Sequence, residues 1–182
     1  MQKLTLSAMF TAVIAVLAQF AIPLPFSPVP FTGQVIGVLL AGSLLGRRAG
    51  FLSIFAYLAL GAAGAPIFSM GRGGIYMLLG PTGGYLWGFI PAVYVSAMLL
   101  GKADKRSHWQ ITMAVLAALG MIYLCGALQL ALVMGYSLKQ VLLVGVIPFI
   151  PLDLLKVALT VFLSKQIWNS LCKNQLSHML EN

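Results

Sequence analysis

The stretch WQITMAVLAALGMIYLCGALQLALVM, residues 109–134, decides the class of this protein. It contains no Asp, Glu, Lys or Arg, and a helix needs about 20 apolar residues to cross the hydrocarbon of a bilayer. Its apolar residues do not alternate with polar ones at period two, as they do in the lipid-facing strands of a β-barrel. The stretch therefore predicts a membrane-spanning helix.

The composition of the whole chain agrees with this prediction. Of 182 residues, 60% are hydrophobic and 8% are charged, whereas a soluble domain has about 45–50% apolar and about 25% charged residues. The 11 basic and 3 acidic side chains cannot cover the surface of a soluble protein of this length, which also excludes a disordered chain. The net charge is +8, and most of the basic residues lie in connections between apolar segments. We therefore attribute the charge to membrane topology rather than to nucleic-acid binding.

Six segments are apolar enough to be predicted as spans, which makes the fold all-α. We expect one integral membrane domain that takes up residues 1–182. The first segment is predicted to be a retained helix rather than a signal peptide, because no clear cleavage site ends it and five spans follow. The predicted spans are 4–22, 33–46, 50–65, 81–100, 109–134 and 146–168.

The distribution of Lys and Arg predicts the orientation of the spans. Positive charge accumulates on the cytoplasmic side of membrane proteins. Both termini are therefore expected in the cytoplasm of a multi-pass, prokaryotic-type cell-membrane protein. Trp109 and Trp168 fall at cytoplasmic span ends, where aromatic side chains anchor helices at the interface. The basic residues on the N-terminal side are Lys3, Arg47, Arg48, Lys102, Lys105, Arg106, Lys165 and Lys173, against Arg72 and Lys139 on the other.

The motifs of the common catalytic sites are absent from the sequence. There is no GxxxxGK[ST] to cradle nucleotide phosphates, no HExxH, no GxSxG and no CxxC. The acids are Asp104, Asp153 and Glu181, and only Asp153 falls within a span, so a two-carboxylate mechanism has no place inside the membrane. The sequence predicts a protein that is not an enzyme and that has no cofactor or metal.

One ion pair lies within the predicted sixth span. Asp153 and Lys156 in PLDLLK are three residues apart, so they share one face of the helix, in the outer half of the membrane. Ionisable residues within spans are costly and are usually functional. The pair is interpreted as a ligand-facing element, and the alternative is a structural ion pair that braces the bundle.

Two outer connections carry further polar groups. In PIFSMGRGGIYMLLGPTGGY, residues 66–85, Arg72 is predicted to cap a pocket, and the alternative is a solvated charge. Gly83 and Gly84 allow close approach of a ligand to the start of the fourth span, although the GxxxG steps of Gly80, Gly84 and Gly88 also favour helix packing.

The first outer connection, PLPFSPVPFTGQ at residues 23–34, is stiffened by four prolines. It is predicted to be either an apolar lid over a cavity or a plain linker. Thr32 and Gln34 lie at the mouth of the second span, where they can hydrogen-bond a ligand. Because these features fall on the outer side, the sequence predicts capture from outside of a small molecule with an anionic group and an apolar body.

At these motifs the sequence resembles the BioY family, the biotin-binding S components of energy-coupling-factor (ECF) transporters. The matching elements are the glycine-rich second span that ends at Gly46-Arg47 and the blocks VPFTGQ (29–34), GRGG (71–74), GPTGGY (80–85) and PLDLLK (151–156). The resemblance covers roughly residues 5–165. It implies a six-helix S-component fold and capture of biotin for vitamin uptake.

The resemblance also implies partners and site residues. The partners are a transmembrane coupling subunit, which Ala8 and Ala12 of an AxxxA pattern would contact, and two cytosolic ATPases, which alone bind ATP. Packing within the chain explains the AxxxA pattern equally well. A free-standing secondary transporter, proton-coupled through Asp153, and a non-transporting scaffold remain as alternatives. The expected substrate-binding residues are Asp153, Lys156, Arg72, Gln34, Thr32, Phe31, Gly83, Gly84 and Tyr85.

Overall fold

The computed structural model describes residues 2–101 and 106–173. Lys102 and Lys105, which contribute to the orientation argument, lie outside the described residues, as do residues 174–182. The described chain is mostly helical. Its elements are α1 (Gln2–Gln19), β1 (Ala21–Leu24), β2 (Ser27–Thr32), α2 (Gln34–Leu44), α3 (Gly46–Ala62), α4 (Ile75–Leu79), α5 (Gly83–Trp87), α6 (Phe89–Leu100), α7 (His108–Met134), α8 (Leu138–Gly145) and α9 (Ile150–Lys173).

Three helical segments in the described part are long and apolar enough to cross a membrane. They are Gly83–Leu100, His108–Met134 and Leu138–Lys173, and Lys3–Gln19 and Gln34–Leu44 are shorter apolar helices. The count of six spans and the placement of both termini in the cytoplasm therefore stay predictions.

The proline-rich connection after α1 departs from the all-α prediction. Residues of β1 and β2 pair antiparallel, with Ala21 opposite Thr32 and Leu24 opposite Ser27. Proline cannot donate to a strand ladder and is tolerated at sheet edges. Because a two-stranded hairpin consists only of edge strands, this proline-rich segment can form one.

α2 is the central helix of the bundle. Nearly all of its side chains are buried, and it packs against α1, α3, α6, α7 and α9. A helix that is apolar all round is stable only when it is surrounded in this way. Gly46, with φ +69°, forms the sharp turn that lets α3 follow α2 after a single residue.

Side-chain hydroxyls join α1 to α3. Ser7 Oγ lies 2.9 Å from both Lys3 O and Ala49 O, so its one proton is shared between α1 and α3. Thr11 Oγ1 likewise lies 2.9 Å from both Ser7 O and Ser53 O. In an apolar environment these bonds fix the register of the two helices.

The end of the bundle that holds the N-terminus of α7 carries a buried cation. Arg106 donates to Ser43 O, and its guanidinium lies 3.6 Å from the ring centroid of Trp168. Trp168 is only 1% exposed, so its interpretation as an interfacial anchor is wrong, whereas Trp109 is 70% exposed. The indole of Trp168 belongs to the hydrophobic core of the bundle, and Arg106 makes a cation–π contact with it there.

Candidate ligand-binding site

A largely apolar cavity lies at the end of the bundle that carries the hairpin. The hairpin, α2, α5, α7 and α9 contribute to its wall, together with the connection that contains Ser69. The lining residues are Val29, Pro30, Thr32, Gln34, Val35, Ser69, Met77, Thr82, Tyr85, Leu86, Phe89, Ile122, Tyr123, Phe149, Asp153 and Lys156.

The hairpin is held over this end of the bundle by α8. Ser27 Oγ donates to Val144 O at 2.6 Å. Val29 packs in an apolar cluster with Leu130, Val141 and Phe149. The hairpin thus supplies one wall of the cavity from a fixed position.

Asp153 and Lys156 form the charged part of the wall. Both lie on the buried face of α9, with exposures of 3% and 6%, and Lys156 Nζ is 2.6 Å from Asp153 Oδ1. The ammonium group also lies 3.8 Å from the ring centroid of Phe31 on β2. Within one helix turn the site therefore presents an acceptor and a cation that compensate each other's buried charge.

Tyr123 is a polar wall residue that the sequence analysis missed. It lies on α7, and its hydroxyl donates to Asp153 Oδ2. The carboxylate is thereby held from two sides, by Tyr123 and by Lys156. The available signal was a hydroxyl in a largely apolar span, and tyrosine is also common there as a packing or interfacial residue.

Thr32 and Gln34 are brought to the cavity by the junction of β2 and α2. Both side chains are buried and line the cavity, and their hydrogen bonding to a ligand stays a prediction. Gln34 is the first residue of α2, and its Nε2 donates to the hydroxyl of Tyr57 on α3.

Tyr85 lines the cavity from α5. Its hydroxyl donates to Gly145 O at 2.8 Å, and its ring packs directly against Gly126 of α7. Tyr85 therefore joins the wall of the cavity to α7 and α8.

Gly83 and Gly84 lie at a helix contact outside the cavity lining. A Cβ on Gly83 would lie 2.0 Å from Leu78 O, and one on Gly84 would lie 2.3 Å from Cys125 O on α7. No larger residue fits without moving the backbone. This geometry favours the packing alternative for the GPTGGY block.

Arg72 and Phe31 lie beside the cavity lining. Arg72 is exposed, and its backbone pairs with Phe68 in the connection that carries Ser69. Phe31 is half-buried and borders a neighbouring groove between the end of α1 and α9, which also reaches Lys156. The structure thus brings Asp153, Lys156, Thr32, Gln34 and Tyr85 together around one cavity, with Arg72 and Phe31 outside its lining.

Ala8 and Ala12 lie far along α1 from the hairpin. Both are exposed, while Ser7 and Thr11 on the neighbouring face of the helix bond to α3. The AxxxA pattern therefore lies on the surface of this chain, which disfavours the alternative of packing within the chain.

Known proteins resemble the chain in both sequence and structure. The sequence model of the BioY family matches residues 1–173. Biotin transporter BioY of Thermotoga maritima is 38% identical over 167 residues, which is 92% of this chain and 96% of the relative. Probable biotin transporter BioY of Pyrococcus horikoshii is 38% identical over 166 residues, with 91% and 96% of the chains covered.

A solved structure shares the fold. The crystal structure of the S-component for biotin from an ECF-type ABC transporter superposes with a TM-score of 0.85 at 32% sequence identity. The superposition covers 91% of this chain and 89% of that one.

Proposed function

The chain belongs to the BioY family, and from this premise we propose that it is a biotin-capturing S component, a membrane transport protein rather than an enzyme. It takes biotin from the outer side of the cell membrane and delivers it together with an ATP-driven coupling module. The observation that carries the proposal is the Asp153–Lys156 pair, held by Tyr123 in the wall of an otherwise apolar cavity.

The polar groups of the cavity suit the ureido ring of biotin. A cyclic urea has two N–H donors and one carbonyl acceptor. Asp153 and Gln34 can accept from the N–H groups, and the Lys156 ammonium can donate to the carbonyl. A buried site with such groups strongly disfavours molecules that lack the matching partners.

The apolar groups of the cavity suit the remainder of biotin. The thioether ring and the aliphatic tail can pack against Tyr85, Leu86, Phe89 and Phe149, which line the cavity. We propose Arg72 as a partner for the carboxylate at the end of the tail, because it lies three residues after Ser69, a lining residue, and its side chain is exposed. Lys156 remains the second cation available to that carboxylate.

The partner surface is proposed on α1. Small residues let helices approach closely in a lipid environment, and Ala8 and Ala12 are exposed. A helix of the transmembrane coupling subunit would pack there, and two cytosolic ATPase subunits would complete the transporter.

Uptake into proteoliposomes tests this function against a free-standing transporter. With the coupling subunit and ATPases present, biotin should accumulate only when ATP is supplied on the ATPase side. Proton-driven accumulation by the chain alone would contradict the proposal. The pairing of Asp153 with Lys156 disfavours that outcome, because the carboxylate already has a counter-charge.

A further inference from the structure

Tyr57 connects a cavity-lining amide to the outer connection between α3 and α4. Its side chain is fully buried, and its ring meets Phe68 edge-on, with a centroid distance of 5.4 Å. The hydroxyl donates to Ile67 O at 2.9 Å, and the same oxygen accepts from Nε2 of Gln34. Tyr57 is itself outside the cavity lining.

The number of protons available determines the direction of this chain of hydrogen bonds. A backbone carbonyl only accepts, and a phenol has one proton to donate. Because Ile67 O takes the proton of Tyr57, the hydroxyl offers only lone pairs to Gln34. The amide of Gln34 must therefore turn its NH₂ group toward Tyr57. If the amide were reversed, its oxygen would face the hydroxyl oxygen of Tyr57. Either these two oxygens would repel each other, or Tyr57 would donate to Gln34 and leave Ile67 O without a donor. Both outcomes are unfavourable for buried groups.

This arrangement leaves the carbonyl oxygen of Gln34 for the ligand. Within residues 2–101 and 106–173, no protein group donates to Gln34 Oε1. Gln34 lines the same cavity as Asp153, whose two oxygens already hold Lys156 and Tyr123. Gln34 Oε1 is thus an acceptor in the wall with no partner of its own among the described residues.

We propose that Tyr57 fixes which end of the Gln34 amide faces the cavity, so that Oε1 of Gln34 accepts a hydrogen bond from an N–H group of the ligand. This inference rests on the proposed function, in which that donor is one ureido N–H of biotin. Tyr57 is a positioning residue. It does not touch the ligand, and it acts by preventing the amide of Gln34 from rotating through 180°.

Two biotin analogues test the proposal. Each is a cyclic carbamate in which one of the two ureido N–H groups is replaced by oxygen, so a donor becomes an acceptor of similar size. The purified full-length protein in detergent or nanodiscs should bind both carbamates about tenfold or more weakly than biotin, because one carbamate sets its ring oxygen against Asp153 and the other sets it against Gln34.

The Tyr57→Phe variant should lose the discrimination against one carbamate only, the one whose ring oxygen faces Gln34, and keep it against the one that faces Asp153. Without the hydroxyl, the amide of Gln34 can turn its NH₂ group to the ring oxygen of the carbamate, and the ratio of the two dissociation constants should fall to within about threefold. A purely structural role for Tyr57 would weaken biotin and carbamate equally and leave the ratio unchanged. Tyr94→Phe is the matched control, since Tyr94 is exposed on α6, and it should keep the wild-type ratio.

The Gln34→Leu variant makes the test independent of the folding of Tyr57→Phe. It removes the acceptor, so the same carbamate should again lose its disadvantage. If the ratio stays unchanged for both carbamates in either Tyr57→Phe or Gln34→Leu, the inference is overturned while the biotin-binding function stands. Failure of the wild-type protein to bind biotin at all overturns the proposed function and this inference with it.

Discussion

Replacing Asp153 by asparagine, alone and together with Lys156→Met, separates the two interpretations of the buried pair. In wild type the ammonium of Lys156 is 2.6 Å from the carboxylate, and both side chains are buried. Asp153→Asn keeps an acceptor for Tyr123 but leaves the ammonium without its counter-charge. Breaking a buried pair in this way costs about 3–5 kcal/mol of stability.

The double variant removes the uncompensated charge. Replacing both members of a buried pair by uncharged residues of similar volume is often neutral or stabilising. We therefore expect Asp153→Asn to lower the melting temperature of the purified protein and the added Lys156→Met to restore it. Tyr123 keeps its hydrogen-bond acceptor in both variants.

The affinity for biotin should not recover together with the melting temperature in the double variant. Loss of one charged partner in a binding contact costs about 2–5 kcal/mol, which corresponds to roughly 30- to 4,000-fold weaker binding. Both variants should show this loss in calorimetric titration, because neither has the carboxylate. Recovery of wild-type affinity in the double variant would mean that the pair only braces the bundle, and an affinity within about threefold of wild type in Asp153→Asn would refute its role as a ligand.

Three further predictions concern the carboxylate partner, the coupling surface and the topology. If Arg72 holds the biotin carboxylate, Arg72→Gln should weaken biotin but not biotinamide, and equal effects on both would exclude that contact. Ala8→Trp should abolish ATP-driven uptake and co-purification with the coupling subunit while biotin binding survives, and Leu132→Trp, at an exposed position of α7, should leave all three unchanged. In a protein without its native cysteines, Ser107→Cys should react with an impermeant reagent only from the cytoplasm and Met70→Cys only from outside, so the opposite pattern would reverse the orientation.

The charged part of the site could be predicted from the sequence because charge inside a span is expensive. Asp153 and Lys156 stand out in an apolar segment, and their spacing places them on one helix face. Thr32 and Gln34 could be predicted as candidate site residues because they lie at the mouth of a predicted span. All four line the cavity.

Tyr123 and Tyr57 could not be predicted in the same way. Each is a tyrosine in a largely apolar helix, and its role depends on which partner the fold places opposite it. Tyr123 lies 30 positions from Asp153 in the sequence, and Tyr57 lies 23 from Gln34. A helical pattern shows which residues share a face of one helix but not which residue of another helix meets them.

Glycine patterns and proline-rich segments were ambiguous for a different reason. A glycine that lets a ligand approach and one that lets a neighbouring helix approach give the same sequence pattern. The structure favours packing, because a Cβ on Gly83 or Gly84 would meet a backbone carbonyl. The prolines at residues 23–30 predict a stiff, extended chain, but they do not show that β1 and β2 pair with each other or that Ser27 bonds to Val144 O of α8.

The most direct test of the central claim is equilibrium binding of labelled biotin to the purified protein without any partner subunit. The account predicts saturable binding of one biotin per chain, displaced by unlabelled biotin and severely weakened in Asp153→Asn. Absence of saturable binding by folded wild-type protein at millimolar biotin would contradict it.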